Sequence, residues 1–156
     1  RRKANEILSE ASRLAKSINS DLRITQCSLP AENNYYLSYE RGYDDWEQIA
    51  ATTHYDIFST SIIVSYDTPL SVHQRVADKT VELAKKYQKI PQRWIMSYFA
   101  SPRDISLIKE IAHLYANAGI ESIFSWTYRA GQGTILSAPD PQLAWDTLGE
   151  AYGEIV

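Results

Sequence analysis

The side chains best suited to chemistry in this chain are aromatic rings and hydroxyls, with eleven Tyr and four Trp among 156 residues. Four short runs have strand character, 22–29, 57–64, 93–99 and 122–128, and each turns from apolar to polar along its length. The polar ends are Gln26, Cys27 and Ser28; Ser59, Thr60 and Ser61; Ser97 and Tyr98; and Ser125, Trp126, Thr127 and Tyr128. Flat rings cover the C–H surface of a sugar or seat a protein side chain, while hydroxyl, amide and guanidinium groups pair with polar atoms. Trp126, Tyr128 and Arg129 close the last run, Ser97 and Tyr98 the third, and Tyr35 and Tyr36 belong to a Tyr-rich loop over 31–44. These seven residues are the candidate binding set. Strand alternation puts Trp126 and Tyr128 on one side and Thr127 on the other.

Other chemistries find little support. His54, His73 and His113 are isolated, with no HExxH pattern and no Cys/His cluster, so neither a metal site nor a cofactor is expected. The lone Cys27 has no base assignable beside it and reads as a buried, inert thiol. No Gly-X-Ser-X-Gly elbow is present. A nucleotide fold wants a Gly-rich turn after its first strand, whereas Pro30 to Tyr36 contains no Gly and the first comes at Gly42. Sixteen basic against nineteen acidic residues, a net charge of −3 and no long block of one sign argue against nucleic acid. No apolar run approaches the roughly 20 residues that span a bilayer, and no signal-peptide pattern occurs. No membrane partner is expected, and the single cysteine favours the cytoplasm. The start at Arg1 and the single Met96 suggest a piece of a longer polypeptide.

Helices must position the strand ends. Ala4, Ile7, Leu8, Ala11, Leu14, Ala15 and Ile18 recur at helical spacing over 4–18 and predict an amphipathic helix with that face inward. Further helices are predicted over 69–87, 102–118 and 141–155, and a short one over 45–52. Thr68-Pro69, Ser101-Pro102 and Asp140-Pro141 each put a capping side chain before a Pro suited to the first turn, and Gly119 supplies a stop. Strands recurring about every 30 residues between helices indicate βαβ units, a parallel sheet and an α/β fold in one domain, 1–156. In such folds ligands sit at the carboxyl ends of the strands, where the polar residues lie.

The last third, Ile123-Phe124-Ser125-Trp126-Thr127-Tyr128-Arg129-Ala130-Gly131 followed by Asp140-Pro141 and Ala144-Trp145 through Tyr152, resembles the end of little-characterised TIM-barrel proteins allied to glycoside hydrolases. Cys27-Ser28-Leu29-Pro30 is similar to that group's fifth strand, Asp45 to Ala50 to the helix after it, Tyr55 to Ser61 to its sixth strand, and Arg93 to Phe99 to its seventh. The resemblance implies the (β/α)4 half of a (β/α)8 barrel, strands five to eight, with carbohydrate bound at the strand ends. It also implies two open sheet edges and an apolar concave face, hence association with the remaining half or with a second copy. Trp46, Trp94 and Trp145 are expected to bury against the barrel. The sixth strand reads Ser59-Thr60-Ser61-Ile62-Ile63 where the group has Gly-Thr-Asp-Pro-Tyr, and Met96, Ser97 and Tyr98 offer no carboxylate.

Glycoside hydrolysis needs two carboxyl groups, about 5 to 5.5 Å apart for retention or 6.5 to 9.5 Å for inversion. Glu32, Glu40 and Asp67 lie in loops, and Asp104 and Asp140 are explained as helix-start residues, so no acid/base pair is assigned. Two expectations remain open. In one, the missing N-terminal half supplies the catalytic acids; in the other, the chain is a non-catalytic carbohydrate- or protein-binding module.

Overall fold

A computed structural model of the chain describes residues 2–28, 46–52, 54–60, 69–96, 102–126 and 138–156. Helix α1 (Arg2–Ile18) precedes β1 (Thr25–Ser28) and α2 (Trp46–Ala50). Then come β2 (Ile57–Thr60), α3 (Leu70–Lys86), β3 (Ile90–Met96), α4 (Pro102–Ala118), β4 (Ser122–Trp126) and α5 (Pro141–Ile155). The strands pair in parallel in the order β1-β2-β3-β4. Parallel neighbours need a crossover between them, and the helical segments supply it.

Local chemistry sets the helix ends. The Asp140 carboxylate accepts the Leu143 N–H at 2.9 Å, with Pro141 in the first turn. Gly119 ends α4 with φ at +93°, a conformation in which a side chain is strained. Helix α3 starts differently from expectation: Pro69 stands at the cap position and only its carbonyl is used, accepting the Val72 N–H at 2.8 Å. The expected capping residues Thr68 and Ser101 lie outside the described residues.

Strand β3 begins at Ile90, ahead of the predicted start at Arg93. Pro91 obscures that start, since a proline normally disqualifies a ladder position. Here the Ile90 N–H bonds the Asp56 carbonyl at 3.0 Å, so the next nitrogen faces the β4 side. There the pairing begins only at Gln92 with Ser122, and no ladder bond is lost. Strand β1 begins at Thr25, later than the predicted start at Leu22, and residues 29, 61–64, 97–99 and 127–128 of the predicted strands lie outside the described residues.

Two apolar clusters fasten the helices to the sheet. Ile105, Ile108, Ile111, Ala112 and Tyr115 form the inner face of α4 and meet Ala77 and Val81 of α3, Ile95 of β3, and Ala144, Leu148 and Ala151 of α5. Ala112, Ala144 and Ala151 are fully buried, and their small size lets α4 and α5 approach closely. The second cluster joins Ile49, Ala50, Tyr55, Phe58, Leu83 and Ala84, with Leu8 and Ile24 packed against it. Each fully buried large apolar side chain contributes about 1.5 to 3 kcal/mol.

Helix α1 docks on a different face from the one its periodicity suggests. Leu8, the buried Ser12 and Lys16 face the protein, and Lys16 bridges to Asp56 at 2.7 Å. Ser12 turns its hydroxyl back onto the Leu8 carbonyl at 2.8 Å. Ile7, Leu14 and Ile18 are left 68%, 49% and 85% exposed. The expected burial of Trp145 also fails: Trp145 is 51% exposed, while the inward face of α5 carries Ala144 and Leu148. Trp46 and Trp94 are half-buried.

Candidate functional site

Strand alternation divides β3 between two environments. Pro91, Arg93 and Ile95 face the helices, and Gln92 and Trp94 face away from them. On that away-facing side the Trp94 Nε1–H donates to Ser59 Oγ at 2.7 Å, and its ring meets Phe124 with centroids 5.4 Å apart at 33°. Gln92 Nε2 donates to Ser122 Oγ at 3.0 Å, while Gln92 Oε1 is buried without a partner. Phe124 is 48% exposed. The described part of this face is uncharged, with two tilted aromatic rings among hydroxyls and an amide.

Behind the sheet lies a buried cation. Arg93 is wholly inaccessible, and its Nη1 donates to the Thr60 carbonyl at 2.9 Å and to Thr60 Oγ1 at 2.6 Å. Its Nη2 donates to the Tyr115 hydroxyl at 2.9 Å, the guanidinium lies 4.9 Å from that ring's centroid, and Nε has no partner. Thr60 Oγ1 also meets Thr80 Oγ1 at 2.7 Å, and the Thr80 hydroxyl donates to the Val76 carbonyl. His73 Nδ1 lies 2.9 Å from the Tyr115 hydroxyl. Burial, and secondarily the nearby Arg93 charge, lower the His73 pKa to about 4, so the imidazole is neutral at neutral pH. With its members buried, this network fixes β2, β3, α3 and α4 together and offers no surface to a ligand.

An open cleft of about 610 Å³ lies at the opposite end of the strands from their polar ends, lined in part by Arg23, Tyr55, Asp56, Tyr87 and Lys89. Lys89 Nζ donates to the Thr52 carbonyl at 3.0 Å and to the Tyr55 carbonyl, and burial lowers its pKa. Burial pushes the Asp56 carboxyl upward, but the hydrogen bonds from Lys16 and the Ile24 N–H outweigh it and the net pKa is lowered. Both charged groups are thus engaged in tying α1, α2 and the start of β1 to the strand starts.

Of the sequence-predicted binding set, Trp126 ends β4, its backbone paired with Met96. Tyr128, Arg129, Ser97, Tyr98, Tyr35 and Tyr36 lie outside the described residues. The backbone of Cys27 pairs with Ser59 in β1. His73 and His113 have protein partners, the latter Glu154 Oε2 at 2.7 Å, and no group of potential metal ligands occurs among the described residues. Sequence reasoning missed Arg93 as the centre of a network, although a lone Arg inside an apolar strand was a visible signal. It also missed the Ser59–Trp94 and Trp94–Phe124 contacts, which need the strand register to be found.

The chain superposes on the X-ray structure of the endo-beta-1,4-mannanase from Thermotoga petrophila with a TM-score of 0.61, over 97% of its own length. The parallel α/β fold of this chain is similar to part of that enzyme's fold. Identity is 13%, so the likeness is one of fold, and the chain spans 40% of the mannanase's length. No family model and no curated protein matches the chain. Among the described residues no helix is long and apolar enough to cross a membrane.

Proposed function

We propose that residues 1–156 form strands five to eight of a (β/α)8 barrel and bind carbohydrate at the carboxyl ends of the strands. The supporting observation is the parallel pairing, which turns the C-terminal ends of all four strands in one direction, with Ser28 level with Thr60 and Met96 level with Trp126. In sequence these ends are followed by Tyr35 and Tyr36, Ser97 and Tyr98, and Tyr128 and Arg129. Trp126 and the tyrosines stack on sugar rings, and Arg129 and the hydroxyls pair with ring oxygens. The likeness to a mannanase makes β-1,4-linked manno-oligosaccharides the first ligands to try.

Binding, not hydrolysis, is the activity assigned to this part of the barrel. None of the four strands, Thr-Gln-Cys-Ser, Ile-Phe-Ser-Thr, Ile-Pro-Gln-Arg-Trp-Ile-Met and Ser-Ile-Phe-Ser-Trp, contains a carboxylate. A hydrolase that includes these strands would need its two carboxyl groups from the rest of the barrel or from the loops. The same absence favours a non-catalytic module as the second reading.

Titration of manno- and cello-oligosaccharides against wild type and Trp126→Ala, with a melting curve for each, tests the proposal. Loss of a stacked ring worth about 0.5 to 1.5 kcal/mol weakens binding roughly 2- to 12-fold while melting is preserved. Unchanged affinity, or loss of affinity in step with folded population, overturns it.

A further inference from the structure

We infer that the surface left open by this chain fits a segment that begins and ends on a strand, a β(αβ)3 unit, and that a second copy of the chain cannot close it. The inference rests on the half-barrel reading. In a closed barrel one helix covers each gap between neighbouring strands. Here both edge strands already have an outer helix. At the β4 edge, α5 packs on α4 through Ala144, Leu148 and Ala151, and the Tyr152 hydroxyl meets Ser125 Oγ on β4 at 2.7 Å. At the β1 edge, α1 joins the helix layer through Leu8, packed with Ile24 on the cluster that holds Ile49 and Ala50 of α2, and through the Lys16–Asp56 bridge.

Closing the sheet with a second copy would place β4 of one chain beside β1 of the next, twice around the ring. At each junction α5 of one copy and α1 of the other would claim one gap. A β(αβ)3 unit brings a bare strand to each edge and leaves α1 and α5 in place. It also explains the exposed side of α1: Ile7, Leu14 and Ile18 form a stripe that the partner's nearest outer helix would cover. On the opposite side of the sheet, Phe124 offers a half-exposed ring to the partner's strands.

The test is the mass of the full chain by light scattering, together with hydrogen exchange at the edge-facing amides of β1 and β4. A second sample carries Leu8→Asp and Lys16→Glu, which undock α1 without shortening the chain. Wild type is expected to show rapid exchange at both edges and no discrete species at twice 17.8 kDa. The undocked variant, with one gap-filling helix per junction, is expected to form that dimer with both edges protected. A wild-type dimer with protected edges overturns the inference while leaving the half-barrel reading standing. A wild-type monomer with both edges already protected overturns the half-barrel reading itself. A variant that keeps its helical circular dichroism yet gains no dimer shows that α1 is not the obstruction and also overturns the inference. If the variant unfolds, the wild-type measurements alone decide between these outcomes.

Discussion

Arg93 and Trp94 are adjacent on β3, and the two sides of the sheet they serve are built on opposite terms. On the helix side a guanidinium is sealed from water, and its hydrogen bonds go to Thr60 and Tyr115, which the chain itself supplies. On the other side Trp94 is half-buried, its neighbour Phe124 is half-exposed, and the described contacts are neutral. The buried charge and its hydrogen bonds thus lie behind the sheet, and the half-exposed aromatic ring lies in front of it.

The largest effect expected is at Arg93. Arg93→Ala removes the donor to Thr60 and Tyr115 and opens a cavity between β3 and the helices, and each buried group left unsatisfied costs about 1 to 3 kcal/mol. A total loss of about 3 to 5 kcal/mol in urea denaturation is expected, and a loss below about 1 kcal/mol would show that the helix side does not depend on the network.

Acid is expected to act next most strongly, again from the helix side. The folded His73 pKa, about 4, lies below its unfolded value near 6.5, so the unfolded chain binds the proton first. The stability gained by keeping this imidazole neutral is fully present above the unfolded value and is lost as pH falls from about 6.5 to 4. The slope approaches about 1.4 kcal/mol per pH unit in mid-window. Urea midpoints of wild type and His73→Gln across that range isolate the contribution; parallel curves for the two proteins would remove His73 from the account.

The smallest stability effect is expected in front of the sheet. Phe124→Ser leaves Trp94 bonded to Ser59 and removes a ring that already meets solvent, so unfolding should change by less than about 1 kcal/mol. A stability loss comparable to that of Arg93→Ala would erase the difference between the two sides.

Long helices were legible in the sequence because their periodicity repeats over several turns: 102–118 and 141–155 agree with α4 and α5 residue for residue. The parallel α/β architecture followed from the spacing of the strands between them. What periodicity could not convey was which side of α1 is turned inward, because Lys16 reaches Asp56 forty residues later in the sequence. The start of β3 was hidden by Pro91, whose cost depends on where β4 begins. The network around Arg93 unites residues from β2, α3, β3 and α4, so it exists only once the register is set. The candidate binding residues were chosen by their place at strand ends; of these, the described part of the structure reaches Trp126 alone, through its backbone.

The strictly consecutive strand order also bears on how the chain acquires its structure. Each strand pair is joined across a single βα unit, so closure proceeds through loops of similar, moderate length and no remote pairing is needed. The larger apolar cluster belongs to the last two units, around α4 and α5. Synthesis delivers the chain from the other end. Within these residues α1 and β1 are made before β2 and α3, which give Leu8 and Ile24 their cluster, and the larger cluster is completed after the smaller one.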